Sequence, residues 1–103
     1  MATTCYRQGD VFIIPVQKLP SSGVRKNHNG VLALGEVTGH AHRLANTQQG
    51  SVCSINDEMY LEILDDTADI VHEEHGTITL KRGVYAVRIQ REYTPAGIRR
   101  VYD

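Results

Sequence analysis

The sequence predicts an all-β domain, a small barrel or sandwich. Three observations point there. No stretch keeps a helical period of apolar residues over three turns. Short runs rich in β-branched and aromatic residues recur along the chain, and Gly, Pro, Asn and Asp divide them at close intervals. At 103 residues the chain is long enough for one core, and it is read as a single domain over residues 1–103.

The elements follow in order. Gly9-Asp10 leads into Val11 to Val16, a run apolar on both faces that reads as a covered strand with Pro15 at its end or edge. Residues Lys18 to Gly30 hold Pro20, Ser21, Ser22, Gly23, Asn27 and Asn29, the composition of a loop. Val31 to Val37 reads as a strand, with Gly35 marking a bulge. Thr38-Gly39 turns into a short strand from His40 to Ala45, and Asn46 to Ser51 is loop. Val52 to Ile55 reads as a buried strand. Met59 to Leu64 alternates, and Asp65-Asp66 ends it. The stretch Asp57 to Asp69 is the one place where a helix competes, with apolar residues at a poor helical spacing. Ala68 to His72 and Thr77 to Leu80 flank the turn Glu73 to Gly76, a hairpin pattern. Lys81-Arg82-Gly83 reads as a turn. Val84 to Arg91 is the strongest strand, with Tyr85, Val87 and Ile89 on one face, and it is expected at the centre of the sheet. After a turn at Thr94 to Gly97, Ile98 to Tyr102 reads as a last strand.

Composition removes several functional classes. Hydrophobic residues are 41 % and charged residues 22 %, the balance of a soluble globular protein. The net charge of −1 gives no general attraction to polyanions, so nucleic acid is not a favoured partner. The run Val11 to Ile14 is far short of a membrane span, and Met1 to Cys5 has neither a basic start nor an apolar stretch. A cytoplasmic protein with Cys5 and Cys53 as reduced thiols is the expectation, Cys53 buried. Neither a Gly-x-Gly-x-x-Gly nor a Gly-Lys-Ser/Thr phosphate loop is present.

Chemistry concentrates in the histidines. Four of the five fall in two pairs, His40-Ala41-His42 and His72-Glu73-Glu74-His75. On a strand, residues i and i+2 share a face, so His40 and His42 project together. A turn lets i and i+3 converge, so His72 and His75 are expected to meet at the hairpin end. All four are candidate metal ligands, and the two pairs are expected to lie near each other. Glu36, Glu73 and Glu74 offer oxygen ligands or a base. Such a set suits a divalent transition metal: zinc, iron, nickel or manganese. Glu74 is the preferred base because it shares the parity of His72, and Arg43 or Arg88 is placed to hold an anionic group of a small substrate. His28, in the loop Lys26 to Gly30, reads as a solvated residue.

Two resemblances attach to these residues. Gly35-Glu36-Val37-Thr38-Gly39-His40-Ala41-His42 resembles the first half of a cupin's first motif, and Thr79 to Tyr85 resembles the segment around the glycine of its second. The likeness implies a double-stranded β-helix that binds iron, manganese, nickel or zinc, with His40 and His42 as ligands. Leu44 to Ser51 holds no carboxylate, and no histidine follows Gly83, so the remaining cupin ligands have no counterpart. Arg7-Gln8-Gly9-Asp10-Val11, Gly39 to Arg43, His72 to His75 and Gln90 to Tyr93 also resemble a family of small uncharacterised bacterial and phage proteins, a likeness that implies no activity.

A second constellation lies at the C-terminus. Arg88, Arg91, Arg99 and Arg100 interleave with Tyr85, Tyr93 and Tyr102. Guanidinium forks and stacking faces are the parts of a nucleotide contact, and an edge strand also invites a homo-oligomer. Two function classes therefore stand side by side. One is a metal-dependent enzyme built on the histidines. The other is a non-enzymatic interaction module using the Arg/Tyr edge.

Overall fold

The structure, a computed structural model, describes residues 5–34 and 40–89. Eight strands make it up: β1 (Tyr6–Gln8), β2 (Val11–Val16), β3 (Arg25–Asn27), β4 (Val31–Leu34), β5 (Ala41–Leu44), β6 (Gly50–Ile55), β7 (Glu58–Val71) and β8 (Ile78–Ile89). No helix occurs among the described residues. The all-β prediction therefore holds. The strands form one antiparallel sheet in the order β1-β2-β8-β7-β5-β4, with β6 also paired to β7 and β3 to β6. Among the described residues it is an open, branched antiparallel sheet whose strands share one core.

The branch sits on β7. Its first half, from Glu58 to Ile63, pairs with β6, and its end pairs with β5 through Arg43↔Val71 and Leu44↔Ile70. Along its other edge β7 pairs with β8 over the whole length, with a register shift between Ile63 and Thr67. Asp65-Asp66, expected to end a strand, thus forms a bulge inside one. The helical alternative for Asp57 to Asp69 is overturned because the segment is strand from Glu58 onward, paired with β8 on one edge and, from Glu58 to Ile63, with β6 on the other. Lys81-Arg82-Gly83, expected as a turn, runs straight through β8, and Gly83 at φ 151° faces Ile63 where the bulge begins. Lys18 to Gly30 is not wholly loop either, since Arg25 to Asn27 pair with Ile55 to Cys53. All three β3 side chains are exposed, so no apolar pattern betrays the strand. The tight β6–β7 turn places Asn56 and Asp57 at φ 53° and 68°, the left-handed pair that such hairpins require.

Strand alternation builds the core. Val11, Ile13, Val52, Leu61, Ile63, Ala68, Ile70, Leu80, Tyr85 and Val87 all face inward, joined by Leu32 and Leu44. Tyr85 and Val87 point to this side as expected, and β8 is central, between β2 and β7. Ala86 on the opposite face is buried too, in a row with Tyr60 and Cys53. Cys53 is buried, as its surroundings in sequence predict. Pro15 lies near the end of β2, two residues past Ile13, the last β2 residue paired to β1 among the described residues. The sheet curls: Gln8 on edge strand β1 reaches across to bond the backbone of Ile70 on β7. The expected Gly35 bulge, the turn at Thr38-Gly39, Glu36 and the strand from Ile98 to Tyr102 lie outside the described residues.

Candidate metal centre

The histidines gather at one end of the core face, running from buried to exposed. On β5 the i, i+2 rule puts His40, His42 and Leu44 on one face, and Leu44 is core. His42 therefore points inward and is 4 % exposed. Continuing the β5–β7 register by one step sets His42 across from His72, which leaves the end of β7 just before the hairpin turn. The His42 and His72 ring centroids are 4.2 Å apart. His72 also lies 4.7 Å from His75 and 5.7 Å from His40, and His42 lies 5.8 Å from His75. Both predicted pairs thus meet in one cluster with His72 at its middle. Burial falls outward: His42 is buried, His40 and His72 are half-buried, and His75 is exposed.

Each ring has a distinct set of neighbours. His75 packs on Gly9 of the β1–β2 turn, where a Cβ would stand 2.7 Å from His75 Nε2. His72 Nδ1 accepts the backbone N–H of Glu74 at 3.0 Å. His40 Nδ1 is 3.9 Å from a carboxylate oxygen of Glu74, whose side chain is largely exposed. His42 Nδ1 is 2.8 Å from Gln8 Oε1, and its Nε2 is 3.9 Å from Asp10 Oδ1. Burial, reinforced by the neighbouring His72, lowers the His42 pKa to about 4. The ring is therefore neutral at pH 7, the form that ligates metals.

Glu73 is held firmly. Its carboxylate accepts the Ala41 N–H at 2.9 Å and an Arg43 N–H at 2.8 Å. The Ala41 amide, the residue's own amide and the guanidinium lower its pKa to about 2. One ligand atom each from His40, His72 and Glu73 lie within 4.8 Å of one another, a spacing that a metal ion can span. Glu73, ranked below Glu74 by parity along a strand, enters the cluster because residues 73–75 are turn, where that parity no longer applies. Arg43, predicted to hold an anionic group, spends Nη1 on Glu73 and on the Ala41 carbonyl.

Two contributors were given no site role by the sequence, although Arg7 to Val11 is among the segments that carry the second resemblance. Gln8 and Asp10 come from the β1–β2 hairpin, 32 and 30 residues before His40, and no spacing ties them to it. The only local mark is Gly9 between them, at φ 60°. His28, expected to be a solvated loop residue, is half-buried: its Nε2 is 3.0 Å from Ser54 Oγ and its backbone bonds Val52 and Val31. In the Arg/Tyr constellation, Tyr85 is core and donates its hydroxyl to the Lys81 carbonyl, and Arg88 pairs with Glu58 at 2.7 Å. Arg91, Tyr93, Arg99, Arg100 and Tyr102 lie outside the described residues.

Comparison with known proteins returns one family model, described as Domain of unknown function (DUF8820), which matches residues 7–90. The matched span contains all four clustered histidines together with Gln8 and Asp10. No curated protein and no solved structure matches the chain. The match is to that family and carries no likeness to the cupins.

Proposed function

We infer, for a chain that belongs to the DUF8820 family, that His40, His42, His72 and His75 bind a divalent transition metal, with zinc, iron, nickel and manganese as the chemically suited ions. The observation that supports this reading is the gathering of four imidazoles from two distant segments into one cluster that is exposed on its His75 side. Imidazoles packed this closely hinder one another's protonation, as the neighbouring His72 and His75 do for His42. Rings kept neutral in this way are available to a cation. Such a metal, with a position open to water, supplies Lewis-acid chemistry on a small or anionic substrate. Glu74 is the base in this reading, because its carboxylate is exposed and stands beside His40. Arg43 acts at one remove, by holding Glu73 against the Ala41 amide.

The test is metal analysis of protein purified without a histidine tag. The wild type is expected to carry or take up one equivalent of metal per cluster, and the His40→Ala/His42→Ala variant is expected to carry none. Equal metal content in the two proteins would reject the reading and leave the interaction module as the better description.

A further inference from the structure

Gln8 decides which nitrogen of His42 is free. Its Nε2 donates to two backbone carbonyls, Ile70 at 3.0 Å and Gly76 at 2.9 Å. Carbonyl oxygens only accept, so both amide hydrogens are committed and the orientation of the amide is fixed. Oε1 is left facing His42 Nδ1 at 2.8 Å, and an amide oxygen has no proton to give. The proton between them therefore sits on Nδ1. In the neutral ring the lone pair is then on Nε2, and Nε2 faces the carboxylate of Asp10 at 3.9 Å.

A lone pair and a carboxylate repel when nothing lies between them. The 3.9 Å gap is too long for a hydrogen bond. It is about 0.5 Å wider than the roughly 3.4 Å between two ligands of a tetrahedral zinc, which takes nitrogen and oxygen at about 2.0–2.2 Å, so an ion shared by the two requires the half-exposed Asp10 side chain to draw in. Gln8 itself is 2 % exposed, while Asp10 is on the hairpin turn with a half-exposed side chain. A buried amide that orients an imidazole, next to a more accessible carboxylate, is the usual division between a ligand's support and a ligand.

We propose that the β1–β2 hairpin completes the metal centre: Asp10 is a carboxylate ligand beside His42 Nε2, and Gln8 is the positioning residue that keeps His42 in the Nδ1–H tautomer. This rests on the metal reading above and extends its ligand set to a third segment of the chain.

The test uses untagged full-length protein, with Co(II) as the probe at neutral pH, and compares the wild type with Asp10→Asn, Gln8→Leu and His42→Ala. Long-range proton–nitrogen NMR of the metal-free proteins reads the tautomer directly. The wild type is expected to show Nδ1–H at His42, and Gln8→Leu to show a mixture or Nε2–H, a change that lost packing alone would not produce. Co(II) affinity is expected to fall roughly 10- to 100-fold in Gln8→Leu and at least as far in Asp10→Asn. Asp10→Asn carries the test if Gln8→Leu fails to fold, since its site is on a solvent-facing turn. An Nε2–H tautomer in the wild type, or Asp10→Asn binding Co(II) as tightly as the wild type while His42→Ala loses it, would overturn this inference alone. A wild type that takes up no Co(II) would remove the metal reading and, with it, the role of Asp10.

Discussion

At the scale of single residues, the cluster makes stability depend on pH through His42. Its folded pKa of about 4 lies below the value of 6.5 expected in the unfolded chain. As pH falls, the unfolded state takes up the proton first. The contribution is therefore whole above pH 6.5 and drains away between 6.5 and 4, amounting to up to roughly 3 kcal/mol. Urea unfolding of the metal-free protein at several pH values checks this, with His42→Gln expected to show a flatter profile; parallel profiles would refute it. Gly9 gives a second prediction. It holds φ 60°, and an added Cβ would press on the His75 ring at 2.7 Å. Gly9→Ala is expected to cost about 1–2 kcal/mol for the left-handed backbone alone, and to displace His75, seen as a lower melting temperature together with weaker metal binding. If a turnover is found, Glu74→Gln is expected to abolish it while metal content stays near wild type. The two histidine pairs were legible because i, i+2 and i, i+3 spacings translate directly into shared faces and turns. Gln8 and Asp10 were not, since their relation to His42 exists only after the sheet has curled.

At the scale of strands, the inward positions of β2, β6, β7 and β8 could be read from alternation, because a half-buried strand must repeat every two residues. The errors fall where local chemistry and sheet pairing disagree. Asp65-Asp66 and Lys81-Arg82-Gly83 carry the residues of turns, yet both lie inside long strands. They come near each other on paired strands, Thr67 facing Lys81 and Ile63 facing Gly83, and Arg82 bonds Asp66 across the irregularity at 3.3 Å. A bulge absorbs the mismatch that two turns would otherwise have made, and only the partner strand reveals it. Close backbone approach supplies a prediction here. At Gly50 an added Cβ would stand 2.5 Å from the Glu62 carbonyl oxygen of β7. Backbone cannot yield as a flexible side chain does. Gly50→Ala is therefore expected to destabilise by about 1–3 kcal/mol, read from chemical denaturation. An unchanged midpoint would show that β6 can move off β7 at no cost.

For the molecule as a whole, the cluster draws on β5, on the β7–β8 hairpin and, by the proposal above, on the β1–β2 hairpin. A metal held by all three binds the native chain and not the unfolded one. At a hundredfold excess over its dissociation constant it is expected to stabilise the fold by about 2.7 kcal/mol, visible as a melting temperature that climbs with Zn(II) concentration and returns with a chelator. A melting temperature indifferent to metal would mean that the ligands do not span these segments.

The hydrogen bonds from Gln8 to Ile70 and Gly76 join residues 62 and 68 positions apart in the chain. They also imply an order of events. Hairpins such as β7–β8 form from neighbours in sequence, whereas closing β1 over that distance must await most of the sheet, because loop closure costs entropy before any contact repays it. The expectation is that the site is assembled late, after the main barrier to folding. An ion that recognises only the finished site leaves the rate of folding almost untouched and slows unfolding instead. Stopped-flow chevrons with and without Zn(II) should accordingly differ in the unfolding arm alone, so that metal acts on how long the native state lasts and not on how quickly it is reached.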